Sequence, residues 1–393
     1  MSFLYFILGL CPILWLIFAL TVLGWPTYKA AFGSLIISAL LSIAIWQQSF
    51  LNTISACGEG FLMALWPIIV VIIAAVFTYN LSLRTRGMEI IKQMITSVSS
   101  DKRILVLLVA WCFGGFMEGM AGFGTAIAIP ASMLVALGFE PLFSCLVCLI
   151  ANGVPTPFGS IGIPTVTLAN LVGLENAQLA FTQTLQLAPF MLLCPFLIVM
   201  ATGKGVKALK GVTAVTLVSG LSFLIPQMIV AKFVGAELPA VIGSVCSMAV
   251  TIILAKVMLK GKVSKFDVEI EDNDDTTMTV KDAFVAWSPF ILVLLFLLLT
   301  STLVPAIHDP LSAIKSNVPI YSGEGASPYT FTWVSTPGVL ILIAAFIGGL
   351  IQGCPVGEIF VVLGKTVIQM FKTIITIMAV LATAKIMGYS GMT

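Results

Sequence analysis

Long apolar runs alternate with short charged or Gly/Pro-rich stretches along this chain, at positions 3–23, 30–46, 61–80, 177–201, 212–231, 239–259, 283–304 and 336–351. Most are close to the roughly 17 to 25 residues that a helix needs to cross a bilayer. The stretch from 104 to 173 is equally apolar but broken, by FGGFMEGMAGFG from Phe113 to Gly124 and by ANGVPTPFGSIGIP from Ala151 to Pro164. Backbone at bilayer depth is tolerated out of a helix only where protein buries it or water and substrate occupy it. The pattern predicts an all-α polytopic integral membrane protein, with roughly ten to twelve membrane segments and broken or re-entrant helices of the transporter-repeat type.

Composition agrees: 59% of the 393 residues are hydrophobic, 9% are charged and the mean hydropathy is +1.12, against about 25% charged in soluble domains. A single transmembrane domain over 1–393 is expected. The net charge of +2 comes from Lys and Arg in short loops, with no basic face for nucleic acid. The first run lacks the basic start of a signal peptide and is longer than its apolar core, so it reads as a retained helix. The eight cysteines, at 11, 57, 112, 145, 148, 194, 246 and 354, are scattered through apolar runs. They form no His-containing cluster, and no metal or other cofactor is expected.

Positive charge orients the chain. Lys29, Arg84, Arg86, Lys92, Lys102, Arg103, Lys204, Lys207, Lys210 and the group Lys256 to Lys265 all fall on the cytoplasmic side if the N-terminus is extracytoplasmic. The 104–203 region then leaves and returns, with an even number of full crossings and any remainder re-entrant. Residues 260–282, with the acidic run DVEIEDNDD, read as a solvated cytoplasmic linker, and 305–335 as an extracytoplasmic loop carrying the single histidine, His308. Gly87 to Ser100 has the spacing of an amphipathic helix on the cytoplasmic membrane surface. In the run that ends GYSGMT, Gly388, Ser390 and Gly391 read as a further intramembrane break.

Residues 104–203 hold three charged side chains, all acids: Glu118, Glu140 and Glu175. Glu118 lies fifteen residues past Arg103, or roughly 20 Å along a helix, inside a hydrocarbon core of about 30 Å. A charged, unpaired carboxylate costs several kcal/mol at that depth. Glu118 is therefore a candidate proton carrier, or else a neutral carboxyl bonded to backbone freed at the Gly119 to Gly124 break. Gly122, Phe123, Gly124 and Thr125 open a half-helix whose amides and dipole suit a carboxylate ligand. The second break, with Gly153, Pro157, Gly159, Gly162 and Pro164, offers Asn152, Thr156, Ser160 and Thr165 as donors around Pro155. Asn152 and Ser160 read equally well as helix caps. Lys385 sits near the terminal break, where Glu118 or a substrate anion are both open to it as partners.

The segments FMEGMAGFGTAIAI (116–129), LGFEP (137–141), LIANGVPTPFGSIGIP (149–164) and ALWPIIVVIIAAVFTYN (64–80), in this order and spacing, resemble the bacterial lactate permease family over most of the chain. The resemblance implies a multi-pass bacterial cytoplasmic-membrane transporter that takes up lactate, and often glycolate, by proton symport. It places the family's EGxAGFG element on Glu118 to Gly124 and its AN-x-x-P-x-x-FG element on Ala151 to Gly159. Family members generally continue past a motif like YSGMT into a second broken segment. An incomplete second repeat, a complementing C-terminal part, an oligomer or an inactive remnant are thereby all open. A transporter of another small organic anion is the alternative within the same class. No nucleotide loop or catalytic constellation appears, so no enzyme is expected.

Overall fold

The computed structural model describes residues 3–392 apart from 123–124, 260–265, 267–278, 302–303, 324 and 327, with backbone alone described at 3, 4, 96, 125, 259 and 280. The acidic run, Phe123, Gly124 and most of the 260–282 linker lie outside the described residues. The helices are α1 (Phe3–Thr21), α2 (Thr27–Ala44), α3 (Phe50–Met63), α4 (Val70–Arg84), α5 (Gly87–Thr96) and α6 (Lys102–Val106). They continue as α7 (Gly114–Met120), α8 (Thr125–Ala136), α9 (Pro141–Asn152), α10 (Gly159–Val172), α11 (Asn176–Thr202), α12 (Thr213–Phe233) and α13 (Pro239–Leu259). The last are α14 (Val280–Leu299), α15 (Pro305–Ser312), α16 (Pro337–Ile351) and α17 (Val356–Ser390). Two short strands, β1 (Lys315–Val318) and β2 (Tyr329–Thr332), pair antiparallel with Lys315 opposite Thr332.

Among the described residues eight helices are long and apolar enough to span a membrane, and α9 with the following helix forms a further pair bent by 71°. Three shorter apolar helices join them. The chain is an all-α, multi-pass membrane protein. Two sequence boundaries move. The segment expected from 61 begins at Phe50 and runs to Arg84, bent at Trp66 (φ −132°, ψ 117°), so Glu59 lies inside a span. The expected terminal break is absent at Gly388, which sits within the continuous helix α17; only Gly391, at φ +78°, turns the chain after the helix ends. A Gly costs about 1 kcal/mol in a helix but does not break one whose neighbours continue the hydrogen bonding.

Contacts divide the chain into two compact units. The first comprises 1–77, 306–340 and 360–393. In it α1 and α2 pair through Trp15 Nε1 donating to Ala30 O (3.1 Å) and Ser34 Oγ to Pro12 O (2.9 Å). Small residues carry its core: Ala31, Ala56, Ala379 and Ala382, with Leu35, Ile386 and Tyr321. Gly60 lies against the backbone of Ala382, so a side chain there would push α3 off α17. The expected 305–335 loop is ordered as α15 and the hairpin, and the hairpin ties to the bend in the span. Trp66 Nε1 donates to Thr332 O and Tyr329 Oη to Trp66 O, each at 2.8 Å.

The second unit comprises 78–305 and 341–359. Its axis is the span Lys102–Met120, buried by protein at every position from Arg103 onward. That explains the chemistry of the stretch: a helix apolar on all sides belongs in the middle of a bundle. At its start Arg103 is buried with Asp101 (2.6 and 3.0 Å), donates to Ala208 O (2.7 Å) and Lys210 O (3.0 Å), and stacks 4.4 Å from the Phe266 ring. Helix α5 is amphipathic, as its sequence implies, but Met88, Ile91 and Ile95 are buried against protein, with α14 as its main neighbour, rather than laid on lipid.

The turn between α12 and α13 presses on the kink of α10. A side chain on Gly162 would collide with Ala236 O, and Gly235 takes φ +127°. Here Asn176 Nδ2 donates to Glu237 Oε1 at 3.0 Å. Burial pushes the Glu237 carboxyl up, opposed by its own main chain, Asn176 and the Ala236 main chain. A carboxyl raised in the fold contributes stability below its unfolded value, about 4.3, and loses it as pH rises through the folded value. Glu237→Gln keeps an acceptor for Asn176 without the charge. We expect it to melt higher than wild type by about 2 °C at pH 8 and to show little difference at pH 4.5, in thermal unfolding of the detergent-solubilised protein.

Candidate functional site

Of the three acids in the broken region, Glu140 and Glu175 are exposed N-caps of α9 and α11. A helix N-terminus favours a negative charge. Glu118 is different: it is 5% exposed and lies in the last turn of α7. That turn closes with Ala121 N and Gly122 N both donating to Met117 O, at 2.8 and 3.1 Å. The chain then leaves the helix at Gly122, φ +56°.

The second break comes to meet the first. Helix α9 ends at Asn152, a single turn spans Thr156–Phe158, and Ser160, Ile161 and Gly162 follow with φ of +45°, +59° and +72°. Left-handed backbone at a β-branched residue such as Ile161 is strained by about 1–3 kcal/mol, so the surroundings must hold it. They do. Ser160 Oγ donates to Ala121 O at 2.5 Å, and Thr165 Oγ1 donates to Pro157 O at 2.7 Å and bonds Gln183 Oε1 at 2.6 Å.

Asn152 hydrogen-bonds the Glu118 carboxyl. Gly159 brings bare main chain against the same group; a Cβ there would sit 3.1 Å from Cδ and closer to Oε1. A Cβ on Gly122 would likewise meet Ser160 Oγ at 2.5 Å. Glu118 Oε2 and Asn152 Oδ1 are buried and keep no hydrogen-bond partner. An acid and an amide are thus held between two helix breaks with one acceptor each to spare, which is capacity for a proton and for a polar guest.

The structure brings Glu118, Gly122, Asn152, Gly159 and Ser160 together. Thr156 is exposed, and its hydroxyl caps its own turn by donating to Asn152 O at 2.5 Å. Pro155 is buried at the head of that turn and Pro157 half-buried within it, while Pro164 sits inside α10 and is exposed. Gly153 is the helical cap of α9. Gly119 is not at the break: it lies within α7, close to Val241, where it permits contact with α13. Phe123, Gly124 and the Thr125 side chain lie outside the described residues. Lys385 finds its counter-ion in the first unit, where Nζ is 2.8 Å from Glu59 Oε1. The pairing expected with Glu118 or a substrate is made there with Glu59, an acid just before the apolar segment 61–80. The signal was present as one carboxylate in SACGEGF at the start of an apolar run.

No group of three or more His, Cys, Asp or Glu side chains able to hold a metal occurs among the described residues. The described cysteines are free, including Cys145 and Cys148.

We expect Gly159→Ala, which drives a methyl onto the Glu118 carboxyl, to destabilise the protein by about 1–3 kcal/mol, the usual cost of overpacking. Gly364→Ala, at a helical position with open space around it, should not destabilise it. Thermal unfolding of the detergent-solubilised protein is the measurement.

The family described as L-lactate permease matches residues 5–393. An L-lactate permease of Streptococcus iniae is 46% identical over 98% of this chain and 80% of its own length. An L-lactate permease of Escherichia coli K12 is 32% identical over 97% of this chain and 73% of its own length. A glycolate permease of the same strain is 31% identical over 98% and 74%. No solved structure matches the chain. A family match across nearly the whole sequence, with relatives alike in most of their length, carries one conclusion: this chain belongs to the L-lactate permease family.

Proposed function

We propose that this protein takes up lactate and related 2-hydroxymonocarboxylates such as glycolate by proton symport, with Glu118 as a proton carrier. The supporting observation is the buried Glu118 carboxyl, sealed at the meeting of two helix breaks with Oε2 unpartnered and Asn152 beside it. The names of the relatives, L-lactate permease and glycolate permease, support the substrate class.

Electrostatics supports the coupling. A monocarboxylate anion entering a cell with a negative interior works against about 2.3 kcal/mol per 100 mV, and one accompanying proton cancels that cost. In this reading Glu118 takes the proton when the site opens outward. Its neutral form, held by Asn152, then no longer opposes an anion nearby. The start of α8, directly after the first break, and Asn152 orient the carboxylate and hydroxyl of the substrate; Gly122, Pro155, Thr156 and Ser160 shape the surrounding main chain. The multi-pass protein sits in the bacterial cytoplasmic membrane as one transport domain, with residues 260–282 inside and 305–335 outside.

Glu118→Gln fixes the side chain in a form resembling the protonated acid. We expect lactate-driven proton entry into vesicles to fall at least tenfold, while exchange of labelled lactate for unlabelled lactate continues. Undiminished proton entry would remove Glu118 from the coupling. Competition of labelled lactate by glycolate, acetate, succinate and gluconate tests the substrate class, with only the short 2-hydroxymonocarboxylates expected to compete strongly.

A further inference from the structure

A second buried acid stands in the first unit, apart from anything used above. Glu59 is 2% exposed, inside the span Phe50–Arg84. Its Oε1 takes both Lys385 Nζ and the Tyr389 hydroxyl at 2.8 Å, while Oε2 is buried with no partner. Both partners come from the last turns of α17. Lys385 is 23% exposed at its side chain and also lies 5.4 Å over the Tyr389 ring. The Tyr389 ring stacks on Tyr321, with centroids 3.7 Å apart and planes within 6°, and Tyr321 Oη accepts from Gln48 Nε2 at 2.8 Å.

The pair is lopsided. Glu59 is sealed, whereas the ammonium of Lys385 remains partly open. A purely structural ion pair at bilayer depth needs its remaining lone pairs satisfied, or desolvation outweighs its attraction. Glu59 Oε2 leaves that condition unmet. The vacant oxygen is one place where a proton can be added without displacing an existing bond, and adding it removes the charge that holds Lys385.

We propose that Glu59 and Lys385 form a second, proton-gated carboxylate site, in which protonation of Glu59 releases the Lys385 ammonium to bind the carboxylate of a small monocarboxylate. Glu59 carboxylate plus a proton gives the neutral acid, and the incoming anion replaces it as the counter-ion of Lys385. The local charge is zero before loading and zero after it, so neither state strands a net charge in the membrane. Tyr389 and Tyr321 supply an aromatic wall and one hydroxyl to the released ammonium. This proposal rests on the reading of the chain as a monocarboxylate transporter.

The titratable groups around Glu59 are few. Lys385 and Tyr389 face it from α17, with Tyr321 stacked behind Tyr389. From the hairpin, Tyr329 feels its charge; burial first, with Glu59 adding to it, pushes that phenol up to about 12, so it stays protonated. Cys57 lies two residues away on the same helix. Helix α2 meets α3 through Ser42 and Thr53, and its charged residue, Lys29, is at the other end of the helix.

The test is equilibrium binding of L-lactate, with acetate as a second probe, to the purified full chain at pH 5.5 and pH 7.5, in wild-type and Glu118→Gln backgrounds. We expect the Lys385-dependent part of binding to weaken at least tenfold between the two pH values. Glu59→Gln should abolish that pH dependence and keep the binding. Lys385→Gln should lose it at both pH values, and Lys385→Arg should restore part of it. Because removing one partner can unfold a buried pair, Glu59→Gln combined with Lys385→Gln serves as the neutral control for folding, and it should bind as weakly as Lys385→Gln. Acetate or lactate affinity that ignores Lys385→Gln or the double variant, or a full pH slope surviving in Glu59→Gln, overturns the proposal. Lys385-dependent acetate binding in a chain that transports no lactate would uphold it and refute the transport reading instead.

Discussion

Everything in this fold answers to one constraint: a polar group in hydrocarbon has no water to fall back on, so each must find its partner within the protein. The breaks show how this is met. Where α9 gives way to α10, three hydroxyls turn onto freed carbonyls: Thr156 onto Asn152, Thr165 onto Pro157 and Ser160 onto Ala121. Where the Phe50–Arg84 span bends, Tyr329 and Trp66 exchange bonds with the main chain of the hairpin and the bend. Between α12, α13 and the central span, Ser219, Ser247, Thr251 and Cys112 satisfy one another. Against that background of paired groups, the carboxylate oxygens Oε2 of Glu59 and Glu118 are among the buried polar atoms, with Asn152 Oδ1, that keep capacity in reserve.

Glycine contributes a second kind of economy. At Gly159 and Gly60 what matters is not flexibility but the missing Cβ, which lets main chain lie against a carboxyl in one case and against a neighbouring helix in the other. At Gly122 and Gly162 the left-handed backbone matters as well. The strained residues Ser160 and Ile161 sit between these fixed points, both buried, with Ser160 hydrogen-bonded to Ala121 O. Rigid packing on both sides of a strained turn is what allows a polar site to keep its shape in a medium that rewards collapse.

Much of this was legible in the sequence, because membrane insertion writes a strong signal: long apolar runs, few charges and Gly/Pro clusters where helices break. Glu118, Asn152 and Ser160 were recognisable because polar residues in such a context are costly and few. What stayed hidden depended on partners distant in sequence. Nothing local says that Lys385 answers Glu59, 326 positions earlier in the chain by their numbering. Nothing local says that Gly388 stays helical while Gly122 does not, since each is a glycine in an apolar run and only the surrounding contacts decide. The apolar stripe of α5 fits lipid or protein equally by its spacing, and tertiary packing resolved it.

The central span bears on how the protein is made. Lys102–Met120 touches its own fold on every side, yet α8 to α13, which enclose it, all come later in the chain. During synthesis this helix and its carboxylate enter the membrane before Asn152, Gly159 or Ser160 exist to receive them. Chains fold in the order they emerge, so the nascent helix passes through a stage in which Glu118 has only lipid or the insertion machinery for company. A carboxyl facing lipid is costly, so the central span is the part of the bundle that depends most on what the chain makes after it.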